Sequence, residues 1–288
     1  MHRSNYECYP NPDGTKGWVW NPITGSLGDC PNPNARRLAN TRLRERYLAN
    51  KQVSLMNVQG VYEDTMNIEI NHRRQDPFYP RLWPERLREL QPIGGLVCEL
   101  VYPPKTAKGI FVCDMSDLFG IGIPGEWTQA VLNLIKKWPA HRFYLLTKQP
   151  QNLIKFSPFP DNCWVGVTVC NDKRLTDAVW TLRDIEAKVK YLSLEPLLGK
   201  IDDSHLSVLL PHINWVIIGA QTKPLKRPHP SWVREITEAA IKAGIAVFHK
   251  NNLKETGGVL KIILNDDQFK EVYGVDFKQE LPDSKEGR

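Results

Sequence analysis

The sequence predicts an α/β fold: a parallel (β/α) barrel, full or partial, in a single domain. Three observations carry that expectation. From Gly109 onward, continuous apolar runs at 110–113, 143–146, 164–169, 191–194, 215–218 and 245–248 alternate with amphipathic segments at about 126–138, 150–156, 172–187, 203–210 and 231–243. Runs that are apolar at nearly every position, rather than at every second one, belong to parallel strands buried on both faces. An opening strand–loop–helix unit at 17–36 supplies one more strand, and the strands end in polar residues, as at the working end of a barrel.

Taken in order, residues 1–16 hold Tyr6, Tyr9, Pro10, Pro12 and Gly14 and are expected to form an extended arm. The barrel is assigned to 17–253. Trp18-Val19-Trp20 is a strand stopped at Asn21-Pro22; Gly25 and Gly28 shape the loop behind it, and a helix starts near Asn34. That helix is expected from Ala35 to Asn50, with Leu38, Leu43 and Tyr47 among Arg36, Arg37, Arg42, Arg44 and Arg46. The arginines read either as a solvated face paired with Glu45 or as a phosphate-contacting helix.

Residues 51–108 read as an insertion. Asn67-Ile68-Glu69-Ile70-Asn71 alternates like a short strand. Asp76 to Pro80 is a loop, and Trp83 to Leu87 starts a short helix with Pro84 in its first turn. The apolar run 96–102, between Gly94-Gly95 and Pro103-Pro104, is an inserted hairpin or a further strand. Later, Ser231 is the expected N-cap of its helix and Gly244 the glycine that closes it. Residues 254–288 form a tail with a short helix near 258–264.

At 288 residues the chain has room for an ample core, and 41% hydrophobic with 24% charged residues is ordinary for a globular protein. A net charge of +6 permits an anionic partner without demanding one. No apolar run approaches the roughly 18 residues a membrane span needs, and Met1 to Asn5 carries no apolar leader, so a cytoplasmic protein without a membrane partner is expected. Cys8, Cys30, Cys98, Cys113, Cys163 and Cys170 are scattered, which suits free thiols in a reducing compartment and excludes a zinc knuckle.

The strand ends carry the chemistry. In order they present Asn21, Thr24 and Ser26; Asp114, Ser116 and Asp117; Thr147 and Lys148; Thr168 and Asn171; Ser193 and Glu195; Gln221; and His249 with Lys250. Loops are polar in any protein, but Asp114 and Glu195 adjoin buried runs, where an unpaired carboxylate is costly. A shared pocket is the expected reason.

Six motifs at these ends follow one pattern: Trp20-Asn21-Pro22-Ile23-Thr24-Gly25, Asp114-Met115-Ser116-Asp117-Leu118-Phe119, Leu146-Thr147-Lys148-Gln149-Pro150, Gly166-Val167-Thr168-Val169, Ser193-Leu194-Glu195-Pro196-Leu197-Leu198-Gly199 and Val216-Ile217-Ile218-Gly219. In that order, over about 17–251, the chain resembles an uncharacterised phage and mobile-element family. That family is in turn similar to radical S-adenosylmethionine enzymes of the spore photoproduct lyase, or DNA repair photolyase, type.

The resemblance implies a TIM-like radical-SAM barrel, S-adenosylmethionine and a four-iron–four-sulfur cluster as cofactors, and nucleic acid or a nucleotide-like substrate. It places Ser116, Asp117, Thr147 and Lys148 at the methionine end of the cofactor, Thr168 and Asn171 nearer the ribose, and Asp114 among the cofactor-binding groups; Glu195 is the candidate catalytic group, serving substrate or cofactor, or else a buried, paired carboxylate. In the family the opening loop reads Thr-Gly-Cys-x-x-x-Cys-x-x-Cys; here Thr24 and Gly25 are followed by Ser26, Cys30 and Pro33. Thiolates are the usual cluster ligands, so Cys30 is the one metal ligand left. Two expectations follow: a radical-type enzyme of nucleic-acid repair or modification, or a cluster-free binding or regulatory protein that keeps the pocket.

Overall fold

The computed structural model describes residues 1–27, 33–56, 66–90, 106–170, 175–256 and 262–282. Gly28, Cys30, Asn171, the apolar run 96–102 and most of the helix expected near 258–264 lie outside those residues. The chain is mixed α/β, with a mostly parallel central sheet of eight strands. It divides into two compact units: Met1–Asn152 with Phe159–Cys163, and Leu153–Pro158 with Trp164–Arg288.

Unit 1 contains β1 (His2–Arg3), β2 (Trp18–Trp20), β3 (Ile23–Thr24), α1 (Pro33–Asn40), α2 (Arg44–Ala49), α3 (Met66–Gln75), β4 (Arg81–Leu82), α4 (Pro84–Leu87), β5 (Gly109–Val112), α5 (Gly125–Lys136) and β6 (Arg142–Thr147). β2, β5 and β6 run parallel, with Trp20 beside Val112 and Ile110 beside Phe143. Trp20, Ile110, Phe143 and Tyr144 are fully buried, which is why these runs are apolar throughout. The opening residues pack onto β5: Tyr9 stacks on Phe111 at 4.5 Å, and Gly109 N donates to Asn11 Oδ1 at 2.8 Å.

Two helical expectations change here. Where one helix was expected over 35–50, there are two, because Asn40 and Thr41 side chains donate back to the carbonyls of Arg36 and Arg37, at 2.9 and 2.7 Å. Such bonds compete with the helical ladder. Where a strand was expected at 67–71, the chain is helical as α3. The end of α3 is held by Arg81, fully buried, whose guanidinium donates to the carbonyls of Arg74, Asp76 and Tyr79 at 2.9, 2.6 and 2.9 Å. Helix-end carbonyls need such partners, and a signal supplied from outside the segment is invisible to local alternation.

Unit 2 contains β7 (Cys163–Thr168, its first residue belonging to unit 1), α6 (Leu175–Asp184), β8 (Val189–Leu194), α7 (Asp203–Leu209), β9 (Trp215–Ile218), β10 (Gln221–Thr222), β11 (Leu225–Lys226), α8 (Pro230–Lys242), β12 (Ala246–His249) and α9 (Asp266–Tyr273). β7, β8, β9 and β12 are parallel neighbours, with Thr168 beside Ser193, Ser193 beside Ile217 and Phe248 beside Ile217. Trp215 is the centre of this core, in ring contact with Trp164, Tyr191 and Phe248. The cap of α8 is His229, whose side chain accepts from Ser231 N, rather than Ser231; Pro230 takes the first helical position, where it belongs. Gly244 follows α8 with φ +74, as its composition predicts.

Closure into a barrel is not seen, and each unit shows a reason. A closed barrel pairs its first strand with its last. In unit 1 the second edge of β2 is taken by antiparallel β1, with His2 opposite Val19. In unit 2 the free edge of β12 is taken by residues 278–280: His249 N donates to Lys278 O at 2.6 Å, and Glu280 N to Val247 O at 2.9 Å. Both edges that closure would use are occupied by short polar segments, which also shield them from other chains.

Candidate functional site

The strand ends of unit 1 form a tightly cross-linked polar cluster. Asn21, directly after β2, donates from Nδ2 to Asp114 Oδ1 at 2.7 Å and accepts from Met115 N at 3.1 Å. One side chain therefore ties the end of β2 to the turn behind β5. That turn bends through Cys113, a non-glycine residue with φ +63. The next loop is fastened to it: Gly25 N donates to Met115 O at 2.9 Å, and Ser116 Oγ donates to Gly25 O at 2.5 Å. Gly25 has φ +86, and a Cβ there would lie 2.4 Å from the carbonyl oxygen of Tyr79, so the position requires glycine.

Asp117 performs the same service between β5 and β6. Its Oδ2 accepts from Thr147 Oγ1 and from Lys148 N, both at 2.9 Å, and its Oδ1 accepts from Phe119 N at 3.0 Å. Burial pushes its carboxyl upward in pKa; the backbone of Lys148, the Thr147 hydroxyl, the backbone of Phe119 and the Lys148 charge work against that. Asp114 is likewise raised by burial, opposed by the Asn21 bond and by the positive charges of His2 and Arg86. Within unit 1 Asp117 thus meets Thr147 and Lys148, while Asp114 and Ser116 bond to Asn21 and Gly25 instead. Ser116 and Asp117 spend their polar groups on holding the loops. Lys148 is left half-buried, with no hydrogen bond or ion pair to its ammonium among the described residues.

Arg86 and Trp83 also belong to this cluster. Arg86 donates to Asn21 O at 2.9 Å, and its guanidinium lies 4.1 Å over the Trp83 ring. Trp83 Nε1 donates to Thr24 Oγ1 at 2.7 Å, and Trp20 Nε1 donates to Arg86 O at 2.8 Å. Sequence reasoning missed both residues as site members. The one available signal was Trp83-Pro84, a helix start placed just ahead of an arginine.

In unit 2 the strand ends gather a second, smaller cluster. Glu195 forms an ion pair with Lys250, two side chains about 28% and 11% exposed. Gly219 lies between them; a Cβ there would meet Glu195 Cγ at 3.0 Å, Lys250 Cδ at 3.1 Å and Asn252 Oδ1 at 3.4 Å. Asn252 clamps Ala220, donating to its carbonyl and accepting from its N–H, each at 2.9 Å. Thr168 and Ser193 are buried on neighbouring strands, and among the described residues the Ser193 hydroxyl has no hydrogen-bond partner. As a catalytic group, Glu195 would first have to give up Lys250. Lys250 is the partner that strand-end counting had already placed nearby; Asn252 it had not.

The opening loop does not supply the three thiolates that usually hold an iron–sulfur cluster. Of the three positions in the opening loop, Ser26 carries a hydroxyl, Pro33 carries no side-chain donor, and Cys30 alone is a thiol. Cys113 and Cys163 are buried, and burial pushes both thiols up, toward the protonated form that does not ligate. Among the described residues no three His, Cys, Asp or Glu side chains gather as a metal site. No helix among them is long and apolar enough to cross a membrane.

No curated protein and no solved structure matches the chain. One family model does, described as "Protein of unknown function (DUF5131)", and it covers residues 16–262, from the strand before the Gly25 loop to beyond the Glu195–Lys250 pair. The chain belongs to the DUF5131 family.

Proposed function

We propose that the chain is a cluster-free relative of radical S-adenosylmethionine enzymes, and that the strand-end cluster of unit 1 binds S-adenosylmethionine or a similar nucleotide bearing an amino acid, without cleaving it by iron–sulfur chemistry. The kinship, and the phage and mobile-element origin that goes with it, rest on the six ordered motifs alone.

One observation carries the binding role: Asp117 fixes the backbone of Lys148, and the Lys148 ammonium, whose charge acts on the Asp117 carboxyl, makes no hydrogen bond or ion pair among the described residues. A positioned cation beside buried polar groups is a receptor for a carboxylate, and charge-assisted hydrogen bonds are about twice as strong as neutral ones. Asp114, raised in pKa by burial, gains from a ligand ammonium. An amino-acid head group supplies both charges. Ser26 and Pro33 in place of cysteines remove the means of reduction, so the site binds rather than generates a radical. In this role the protein is a sensor or a regulatory binding protein; enzymatic activity of the ancestral type is not expected.

Isothermal titration with S-adenosylmethionine and S-adenosylhomocysteine tests this. Both ligands should bind, and Lys148→Ala should weaken them by about 10-fold or more, in keeping with ~1.5–3 kcal/mol for a hydrogen bond to a charged group. Absence of binding by the native protein overturns the role. Anaerobic incubation with iron and sulfide should leave the protein colourless; an iron count of about four per chain overturns the cluster-free half alone.

A further inference from the structure

We infer that α1 and α2 form a nucleic-acid-binding surface that grips the phosphodiester backbone through Arg37, Arg42, Arg44 and Arg46. This goes beyond the ligand proposed above and does not depend on it.

The first observation is the concentration of charge. Residues 34–50 hold five arginines and one acid, Glu45, a net of +4 (5 − 1), against +6 for the whole chain. Arg37, Arg42, Arg44 and Arg46 are all exposed, and among the described residues none of them forms an ion pair. A merely solvated face balances both signs; this one sets five arginines against one acid.

The second observation is that the surface is rigidly seated. Ala35, Ala39 and Tyr47 are buried in a cluster with Phe78, Trp83 and Met115, and Leu38 and Leu43 pack against it. Arg36 lies 4.7 Å over the ring of Phe78, and Arg46 lies 5.6 Å from that of Trp83. A guanidinium resting on an aromatic face keeps its N–H edges free for a phosphate, and the stacking reduces the entropy lost on binding. Arginine is preferred over lysine where a phosphate is gripped by two parallel bonds.

The same packing argues against other anionic partners. A helix that lies on a lipid surface inserts its apolar face, but here that face is already buried in unit 1. A protein interface has an apolar, often aromatic centre, and the outward residues of α1 and α2 offer chiefly arginine, asparagine and threonine. A phosphodiester chain needs only the charge.

Fluorescence anisotropy of the full-length protein with labelled 20-mers of single-stranded DNA, duplex DNA and RNA tests the inference. At least one should bind, with affinity falling roughly 10²-fold between 50 and 200 mM salt, as about four phosphate contacts require. Arg37→Glu/Arg42→Glu/Arg44→Glu should abolish binding. A control of equal charge change on α5 and α8, Lys136→Glu/Lys137→Glu/Lys242→Glu, should stay within about threefold of native at matched salt, since a distributed electrostatic effect would weaken both variants alike. Arg37→Gln/Arg42→Gln/Arg44→Gln, checked for unchanged melting, should still lose binding and flatten the salt dependence. Equal loss in both charge-reversal variants, binding to anionic vesicles instead of nucleic acid, or no binding at 50 mM salt would overturn it.

Discussion

The strand ends of the two units solve the same problem in different ways. In unit 1 the carboxylate of Asp117 is satisfied by two backbone N–H groups and a hydroxyl, and Asp114 by an amide. In unit 2 Glu195 is satisfied by a full countercharge, Lys250, and the Ser193 hydroxyl has no partner among the described residues. Neutral donors hold the Asp117 carboxylate without an ion pair, and the Lys148 ammonium acts on it through charge alone. Unit 2 neutralises its own charge and keeps a buried hydroxyl in reserve. A site is recognised by what its framework leaves unspent, and here that is a cation in one unit and a hydroxyl in the other.

The largest effect that separates the two is expected at their glycines. Gly25→Ala must place a Cβ against the backbone carbonyls of Phe78 and Tyr79 at φ +86, and neither can retreat without disturbing the loop. Gly219→Ala meets side-chain atoms of Glu195 and Lys250 at 3.0 and 3.1 Å, and side chains can yield. Urea denaturation should show a loss of about 3 kcal/mol or more for Gly25→Ala, combining strain and clash. The loss for Gly219→Ala should be about half that or less. Equal losses would mean that the two clusters are equally rigid.

The next effect is a common one, through a buried histidine in each unit. Burial lowers the pKa of His141 in unit 1 to about 4, with Lys108 adding to the shift, and does the same for His249 in unit 2, with Lys278 adding. His249 is neutral with the proton on Nε2: its Nδ1 accepts from Lys278 N at 3.1 Å, while Thr237 Oγ1, 2.9 Å from Nε2, donates onward to Val233 O. Above pH 6.5 folded and unfolded chains are both neutral at these positions. Below it the unfolded chain takes up protons that the folded chain refuses until about pH 4, so stability is lost as pH falls through that window. Each histidine contributes up to about 3 kcal/mol. Denaturation at pH 7.5 and 4.5 should show the loss, and His249→Asn or His141→Asn should each remove roughly half of it.

The smallest effect probes the hydroxyls. Thr147 Oγ1 donates to Asp117 and accepts from Gln149 N, so Thr147→Val should cost about 1–2 kcal/mol. Ser193→Ala removes a buried group with no partner and should be neutral or stabilising by up to about 1 kcal/mol. A thermal melt that fell for both would show that Ser193 has a native partner after all.

The strands were legible because burial on both faces leaves a continuous apolar signature: β9 lies at 215–218, where the sequence predicts it, and β6, β7, β8 and β12 differ by one or two residues at their ends. The meeting of Asp117 with Thr147 and Lys148 was legible for the same reason, since parallel neighbours in a βαβ series bring their ends together. Arg86 was not, because nothing in its own neighbourhood ties it to Asn21, 65 residues away. α9 was not expected, although its box of Asn265 and Gln268 and its closing Gly274 were there to be seen.

Periodicity and chain punctuation alone determined where the parallel strands from Gly109 onward lie, which of their ends are polar, and that Ser26 and Pro33 cannot serve as thiolates. Only the tertiary structure decided what fills the outer edges of β2 and β12, which helix end Arg81 serves, and which carboxylate spends its charge on a lysine. The physical reason is range. Burial is written into each segment by its own side chains, whereas the partner of a hydrogen bond or a charge is chosen by whatever distant residue the packed chain carries to within 3 Å of it.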